Sequence, residues 1–146
     1  MKKLSEGGFI IFKIKQIAER IFDKKLKDYG IDLNPAQGRI IYSLWQSDNI
    51  PISELARRTA LGKTTLTSML ARLEKNGYLI RNMDTRDNRK TLISLSEKIK
   101  SIESRHEAVS KEMDKLFYNG ISDREIEAFE NTLRKILLNL TNYKKQ

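Results

Sequence analysis

Apolar residues recur along this chain at two periods. From about Phe9 to Tyr29, Ile10, Ile14, Ile17 and Ile21 repeat at helical spacing, and Phe22 and Leu26 extend that face. Gly30 suits the position just past the helix end. Asn34-Pro35-Ala36-Gln37 then predicts a new start. Asn34 is the cap, Pro35 sits where no amide hydrogen is needed, and Gln37 can complete a capping box. Ile40, Ile41, Leu44 and Trp45 form the second helix's apolar face. The segment from Asp48 to Pro51 reads as a turn. Ser53 reads as the cap of a short helix that buries Leu55 and Ala56. After a turn at Ala60-Leu61-Gly62, a further helix runs to Asn76-Gly77, with Leu66, Met69, Leu70 and Leu73 facing inward. Its outward face carries Lys63, Thr64, Thr65, Thr67, Ser68 and Arg72.

The period then shortens. Leu79-Ile80 and Leu92-Ile93 are brief β-type runs around a charged tip, Asp84-Thr85-Arg86-Asp87-Asn88-Arg89. This predicts a two-stranded hairpin. Ser96 is the expected cap of a long helix in which Ile99, Ile102, His106, Val109, Met113 and Leu116 form a heptad-like seam. Asn119-Gly120 ends it. Ser122 and Glu125 form the next capping box, with Ile121 placed to staple onto Ile126. The last helix presents Ile126, Phe129, Leu133, Ile136, Leu137 and Leu140. Its early acids and later Arg134 and Lys135 match the helix dipole and need no catalytic explanation.

The order is helix, helix, helix, helix, hairpin, helix, helix. A helix pair followed by a basic hairpin is how a winged helix-turn-helix touches DNA, with the second helix in the major groove and the hairpin beside it. Hydroxyls and cations such as those from Lys63 to Arg72 suit base edges and phosphates, although any solvated helix face is also polar.

Charge sharpens this reading. Lys plus Arg is 28 and Asp plus Glu is 19, a formal net charge of +9. Between Pro51 and Leu95 lie Arg57, Arg58, Lys63, Arg72, Lys75, Arg81, Arg86, Arg89 and Lys90, against Glu54, Glu74, Asp84 and Asp87. Nine minus four leaves +5 on that stretch, so the excess sits where a polyanion would be met.

Three stretches carry a resemblance to the MarR family of bacterial transcriptional regulators, a resemblance that extends over essentially the whole chain. Leu33-Asn34-Pro35-Ala36-Gln37 precedes a helix ending in Leu44-Trp45. Ser53-Glu54-Leu55-Ala56 leads to Leu73-Glu74-Lys75-Asn76-Gly77-Tyr78-Leu79. Asp84-x-Arg86-Asp87-x-Arg89 is followed by Leu95-Ser96-Glu97. The wing pattern is the most specific of the three. The resemblance implies a mainly α, winged helix-turn-helix fold with a two-stranded β wing and N- and C-terminal dimerisation helices. In that scheme residues 34–95 form the DNA-binding lobe, and 1–33 with 96–146 form the helical lobe.

The resemblance further implies a homodimer on double-stranded DNA, with a recognition helix in each major groove. Arg86 would be the wing arginine in the flanking minor groove, and Asp84, Arg89 and Lys90 would shape the wing or touch phosphate. Repression released by a small, aromatic or anionic organic ligand is the implied function. The expected dimer residues are Ile10, Ile14, Ile17, Ile21, Leu133, Leu137 and Leu140. The chain departs from the family at three places: Gly62 stands where a serine or aspartate often caps the recognition helix, Ser68 replaces a frequent arginine, and Ile99 replaces the glycine after the wing.

Other readings fare worse. A winged helix serving as a protein- or RNA-interaction module shares the fold but has no need of Arg86 at the tip. Gly7-Gly8 lacks the rest of a phosphate loop. One histidine and no cysteine leave no metal or thiol chemistry, so no cofactor, metal or catalytic residue is expected. The apolar run Phe9–Phe12 is broken by Lys13 and Lys15, which argues against a signal peptide and for a cytoplasmic protein without a membrane span. A lipid-surface role for Lys144 and Lys145 competes with the dimerisation expected of the helix before them. His106 lies on the seam, where a hydrogen-bonded core or interface histidine is the ordinary expectation and a ligand contact or pH sensor the alternative.

Overall fold

The computed structural model describes residues 3–143; Lys144 and Lys145 lie outside them. In chain order come α1 (Gly7–Asp28), α2 (Pro35–Gln46), β1 (Ile50–Pro51), α3 (Ile52–Thr59), α4 (Lys63–Lys75), β2 (Leu79–Met83) and β3 (Thr91–Leu95). A single 3-10 turn (Glu97–Ile99) then leads into α5 (Lys100–Phe117), which is followed by α6 (Asp123–Thr141). The fold is mainly α with a small antiparallel wing sheet. Among the described residues no helix is long and apolar enough to cross a membrane.

Local chemistry accounts for most boundaries. At the start of α2, Asn34 Oδ1 accepts from Gln37 N at 2.8 Å and Gln37 Oε1 accepts from Asn34 N at 3.0 Å, the reciprocal capping box. α1 and α4 end alike. Ile31 N–H donates to Leu26 O at 2.8 Å, and Tyr78 N–H to Leu73 O at 2.9 Å, each across a glycine. Gly30 (φ +70°) and Gly77 (φ +82°) hold the left-handed turn that this closure needs.

Four sequence expectations need correction. The stretch read as a turn at Asp48–Pro51 contains β1, so the wing hairpin is part of a three-stranded sheet of order β1-β3-β2, in which Ile50 pairs with Ile93 and Leu79 with Leu95. Ser53 does not cap α3: the helix starts at Ile52, Pro51 holds the cap position and no side chain caps it. Ser96 makes no capping bond either; its hydroxyl donates to Gly77 O. At α6 half of the expected box forms, with Ser122 Oγ accepting from Glu125 N at 3.2 Å, but Ser122 Oγ–H itself donates to Glu125 Oε1 at 3.0 Å.

The chain falls into two compact units, 1–109 and 110–146, with the boundary inside α5. The first holds the core: Leu26, Ile40, Ile41, Leu44, Leu55, Leu66, Leu70, Leu73, Ile93 and Val109 are fully buried. At about 1.5–3 kcal/mol for each buried aliphatic side chain, such burial holds α2 and α3 against β3 and α4 against β2. The second unit is held by Tyr118, whose hydroxyl donates to Glu130 Oε2 at 2.7 Å and whose ring meets Phe117 and Phe129 edge-on. The Glu130 carboxylate pushes the Tyr118 hydroxyl up to about 12. No residue of α6 is buried, and the seam expected along α5 stops being buried after Val109, with Leu116 exposed.

Candidate nucleic-acid interface

α4 divides cleanly. Leu66, Leu70 and Leu73 are buried, Met69 is half-buried, and Lys63, Thr64, Thr65, Thr67, Ser68 and Arg72 are all exposed on the other side. The helix begins at Gly62, which offers no capping side chain. Its first amides therefore remain available to solvent or to an anion. The turn from α3 passes through Ala60, held in the left-handed region at φ +56°. Thr59 supports that turn: its hydroxyl donates to Leu55 O at 2.8 Å and accepts from Leu61 N at 3.4 Å.

The wing tip is organised by its two aspartates. Asp84 Oδ1 accepts from Arg86 N at 2.9 Å, and Asp87 Oδ1 accepts from Arg89 N at 3.0 Å. Asp84 N–H also donates to Lys90 O, and Lys90 N–H to Asp87 O, both at 3.0 Å. Asp87 further holds the Arg89 guanidinium at 3.1 Å. That bond, ahead of Asp87's bond from the Arg89 amide, keeps the carboxyl below its ordinary range. The aspartates thus use their oxygens on the loop itself. Among the described residues nothing pairs with the Arg86 guanidinium.

Ion pairing redistributes the charge counted along this stretch. Arg57 and Arg58 both bind Glu54, Arg58 at 2.9 Å; hydrogen bonds from Arg57 and then Arg58 hold the Glu54 carboxyl down at about 2. Arg81 Nε donates to Glu74 Oε2 at 2.7 Å, which joins β2 to the last turn of α4. Along this stretch Lys63, Arg72, Lys75, Arg86 and Lys90 are left without an ion pair among the described residues, three of them on α4 and two on the wing.

Several supporting residues escaped the sequence reading. Asp48 Oδ1 accepts from Leu95 N at 2.9 Å. Asn82 Nδ2 donates to Ser94 Oγ at 3.2 Å, and Ser94 Oγ–H donates to Asn49 Oδ1 at 2.8 Å. This relay links β2 and β3 to Asn49, the residue just before β1. The partners lie 12 and 45 residues apart, so no local motif could have revealed it.

His106 lies elsewhere. It is buried, with its ring edge-on to Phe22 (6.0 Å) and Trp45 (5.0 Å) and Nε2 against the backbone of Gly38. The expected hydrogen bond at Nε2 is absent among the described residues. Burial pushes its pKa down. An open cleft of about 300 Å³ is lined by Gln16, Glu19, Arg20, Asp23, Asn34, Pro35 and Ala36, and His106 is not among them. Of the residues expected at a dimer interface, Ile10, Ile14, Ile17, Leu137 and Leu140 are exposed in the single chain, and Ile21 and Leu133 are half-buried.

The fold is shared with known proteins. The MarR family model matches residues 33–91. SarZ, an HTH-type transcriptional regulator of Staphylococcus aureus (strain MRSA252), is 32% identical over 123 residues, spanning 84% of this chain and 80% of that protein. A MarR-family regulator from Silicibacter pomeroyi superposes with a TM-score of 0.80 at 22% identity, over 99% of this chain and 100% of that one. A cysteine-to-serine mutant of MarR from E. coli, complexed with operator DNA, gives 0.79 at 24% identity over 93% and 99% of the two chains. At these identities the two structures speak to fold alone.

Proposed function

Because this chain belongs to the MarR family, we propose that it is a DNA-binding transcriptional regulator acting as a homodimer on a pseudo-palindromic operator. One observation carries the reading: an exposed helix face of hydroxyls and cations lies in the same lobe as a wing whose tip arginine side chain has no partner among the described residues. In this reading Thr64, Thr65, Thr67 and Ser68 meet base edges and Lys63 and Arg72 meet phosphates. Arg86 enters the flanking minor groove, where a guanidinium is less costly to dehydrate than an ammonium. Asp84 and Arg89 shape the wing, and Lys90 adds phosphate contact.

Dimerisation is the use that best fits the uncovered apolar faces. Phe9, Ile10, Ile11, Phe12, Ile14 and Ile17 are exposed on α1, and Leu137, Leu138 and Leu140 on α6. Apolar surface exposed along a helix face in this way marks an interface, and twofold homo-oligomers are the commonest solution. We further propose repression released by a small organic anion. The chain has no cysteine, so its signal does not pass through thiol oxidation, and a basic lobe attracts anions. Such a ligand acts only through its differential affinity for the two arrangements of the dimer.

Selecting bound sequences from a random duplex pool tests the core of this reading. Two related half-sites roughly one helical turn apart, or a multiple of it, are expected. Affinity should be about 10⁻⁸–10⁻¹¹ M and fall steeply with salt. No preference for any duplex, or binding indifferent to salt, contradicts the reading. Titrating small aromatic acids and metabolites against the complex tests the ligand; release by none of them favours a constitutive DNA-binding protein.

A further inference from the structure

We infer that Lys98 and Arg105 are positioning residues that pin one helical segment to the C-termini of two other helices, and so set the recognition helix against α1. Lys98 Nζ donates to Asn76 O at 2.6 Å, at the end of α4. The same ammonium lies 4.8 Å from the centroid of the Tyr78 ring, and the Lys98 stem passes over Gly77. Ser96 reinforces the contact through its hydroxyl bond to Gly77 O and its N–H bond to Tyr78 O (2.9 Å). Two helical turns further on, Arg105 Nη1 donates to Tyr29 O at 2.8 Å and Gly30 O at 3.3 Å, at the end of α1.

Both cations therefore sit where a helix leaves carbonyls unsatisfied and its dipole is negative. Lys98 reaches back 22 residues and Arg105 reaches back 76. Neither bond serves its own helix. The segment from Ser96 to Arg105 spans the interval between α1, which carries uncovered apolar surface, and α4, which carries the hydroxyl and cation face. A change felt at α1 can thus reach α4 through two fixed points. Glu74 and Arg81 tie the same end of α4 to the wing, so displacing that end moves helix and wing together. The inference rests on α4 being the DNA-contacting helix.

The test uses the full-length protein and its selected operator, with Lys98→Met, Lys98→Arg and Arg105→Met. Methionine keeps an apolar stem and removes the charge. Lys98→Met is expected to weaken operator binding about tenfold while leaving non-operator duplex binding and the salt slope unchanged. A lysine acting through α4 releases no counterions, whereas one touching phosphate would lower the slope by about 0.9 per contact. Lys98→Arg should restore most of the affinity. Arg105→Met should show the same pattern. Without DNA, amide hydrogen exchange over 76–78 should quicken in Lys98→Met, and over 29–31 in Arg105→Met.

A reduced salt slope overturns the inference by making Lys98 a direct contact. Unchanged affinity and exchange overturn it by leaving the pins without effect. Equal losses on operator and non-operator DNA with a lowered melting temperature reduce them to plain stability. If the wild-type chain selects no duplex, the DNA reading has failed, and unaltered exchange in the two variants would separately reject the pins.

Discussion

His106→Leu should abolish a pH dependence of stability that the wild-type chain carries below about pH 6.5. His106 is the only histidine, and burial pushes its pKa below the ordinary 6.5. The unfolded chain therefore takes up the proton first as pH falls. Stability is full above about 6.5 and declines below it toward the lowered folded value, by at most about 1.4 kcal/mol per pH unit for one proton. Carboxylates held low by arginine, such as Glu19 and Glu54, lose their contribution only below the ordinary carboxylate range, so they leave this window clear. One pH unit should therefore lower Tm by at most about 3–6 °C in a chain of this size.

The leucine variant separates titration from packing. It removes the unpartnered Nε2, which costs the folded state about 1–3 kcal/mol. It also loses the edge contacts to Phe22 and Trp45, each contributing about 0.5–1.5 kcal/mol. The two nearly offset, so stability at pH 7.5 should change by about 1 kcal/mol or less. The assay is thermal and urea unfolding from pH 7.5 to 5.5 at fixed protein concentration, since melting of a dimer depends on concentration. A flat wild-type profile, or the same slope in the leucine variant, refutes the reasoning.

Three further outcomes follow from the geometry. Gly38→Ala places a Cβ 3.1 Å from His106 Nε2, and the ring must yield; overpacking of about 1–3 kcal/mol against a gain of about 1 kcal/mol in helix propensity should lower the urea midpoint, and an unchanged midpoint would mean the ring moves freely. Arg86→Ala should weaken operator binding strongly and erase preference at flanking A·T-rich positions, whereas Thr65→Ala or Ser68→Ala should alter preference within the half-site by about 1–3 kcal/mol; a binding profile indifferent to Arg86 removes the wing assignment. Replacing Ile17 and Leu137 together with Asp buries unpaired charge at the proposed interface, so sedimentation should show monomer or unfolded chain with operator binding lost, and a folded dimer would place the interface elsewhere.

What the sequence determined by itself is what depends on near neighbours. The Asn34–Gln37 box, the glycine-closed ends at Gly30 and Gly77, and the inward face Leu66, Leu70, Leu73 each involve residues within one or two helical turns, where spacing alone dictates who can meet. The face of α4 from Lys63 to Arg72 was legible for the same reason. Tertiary structure decided whatever joins distant segments. β1 is two residues long and exists because Ile50 meets Ile93, so no period could announce it. The paired or free state of each arginine depends on which carboxylate the fold brings near: Arg81 finds Glu74, while Arg86 finds none among the described residues. Lys98 donates to the Asn76 carbonyl 22 residues back, a separation that no local pattern encodes. His106 shared a heptad seam with Leu116, yet one is buried and the other exposed, because a seam marks where apolar surface lies and only the packed chain sets which part of it is covered.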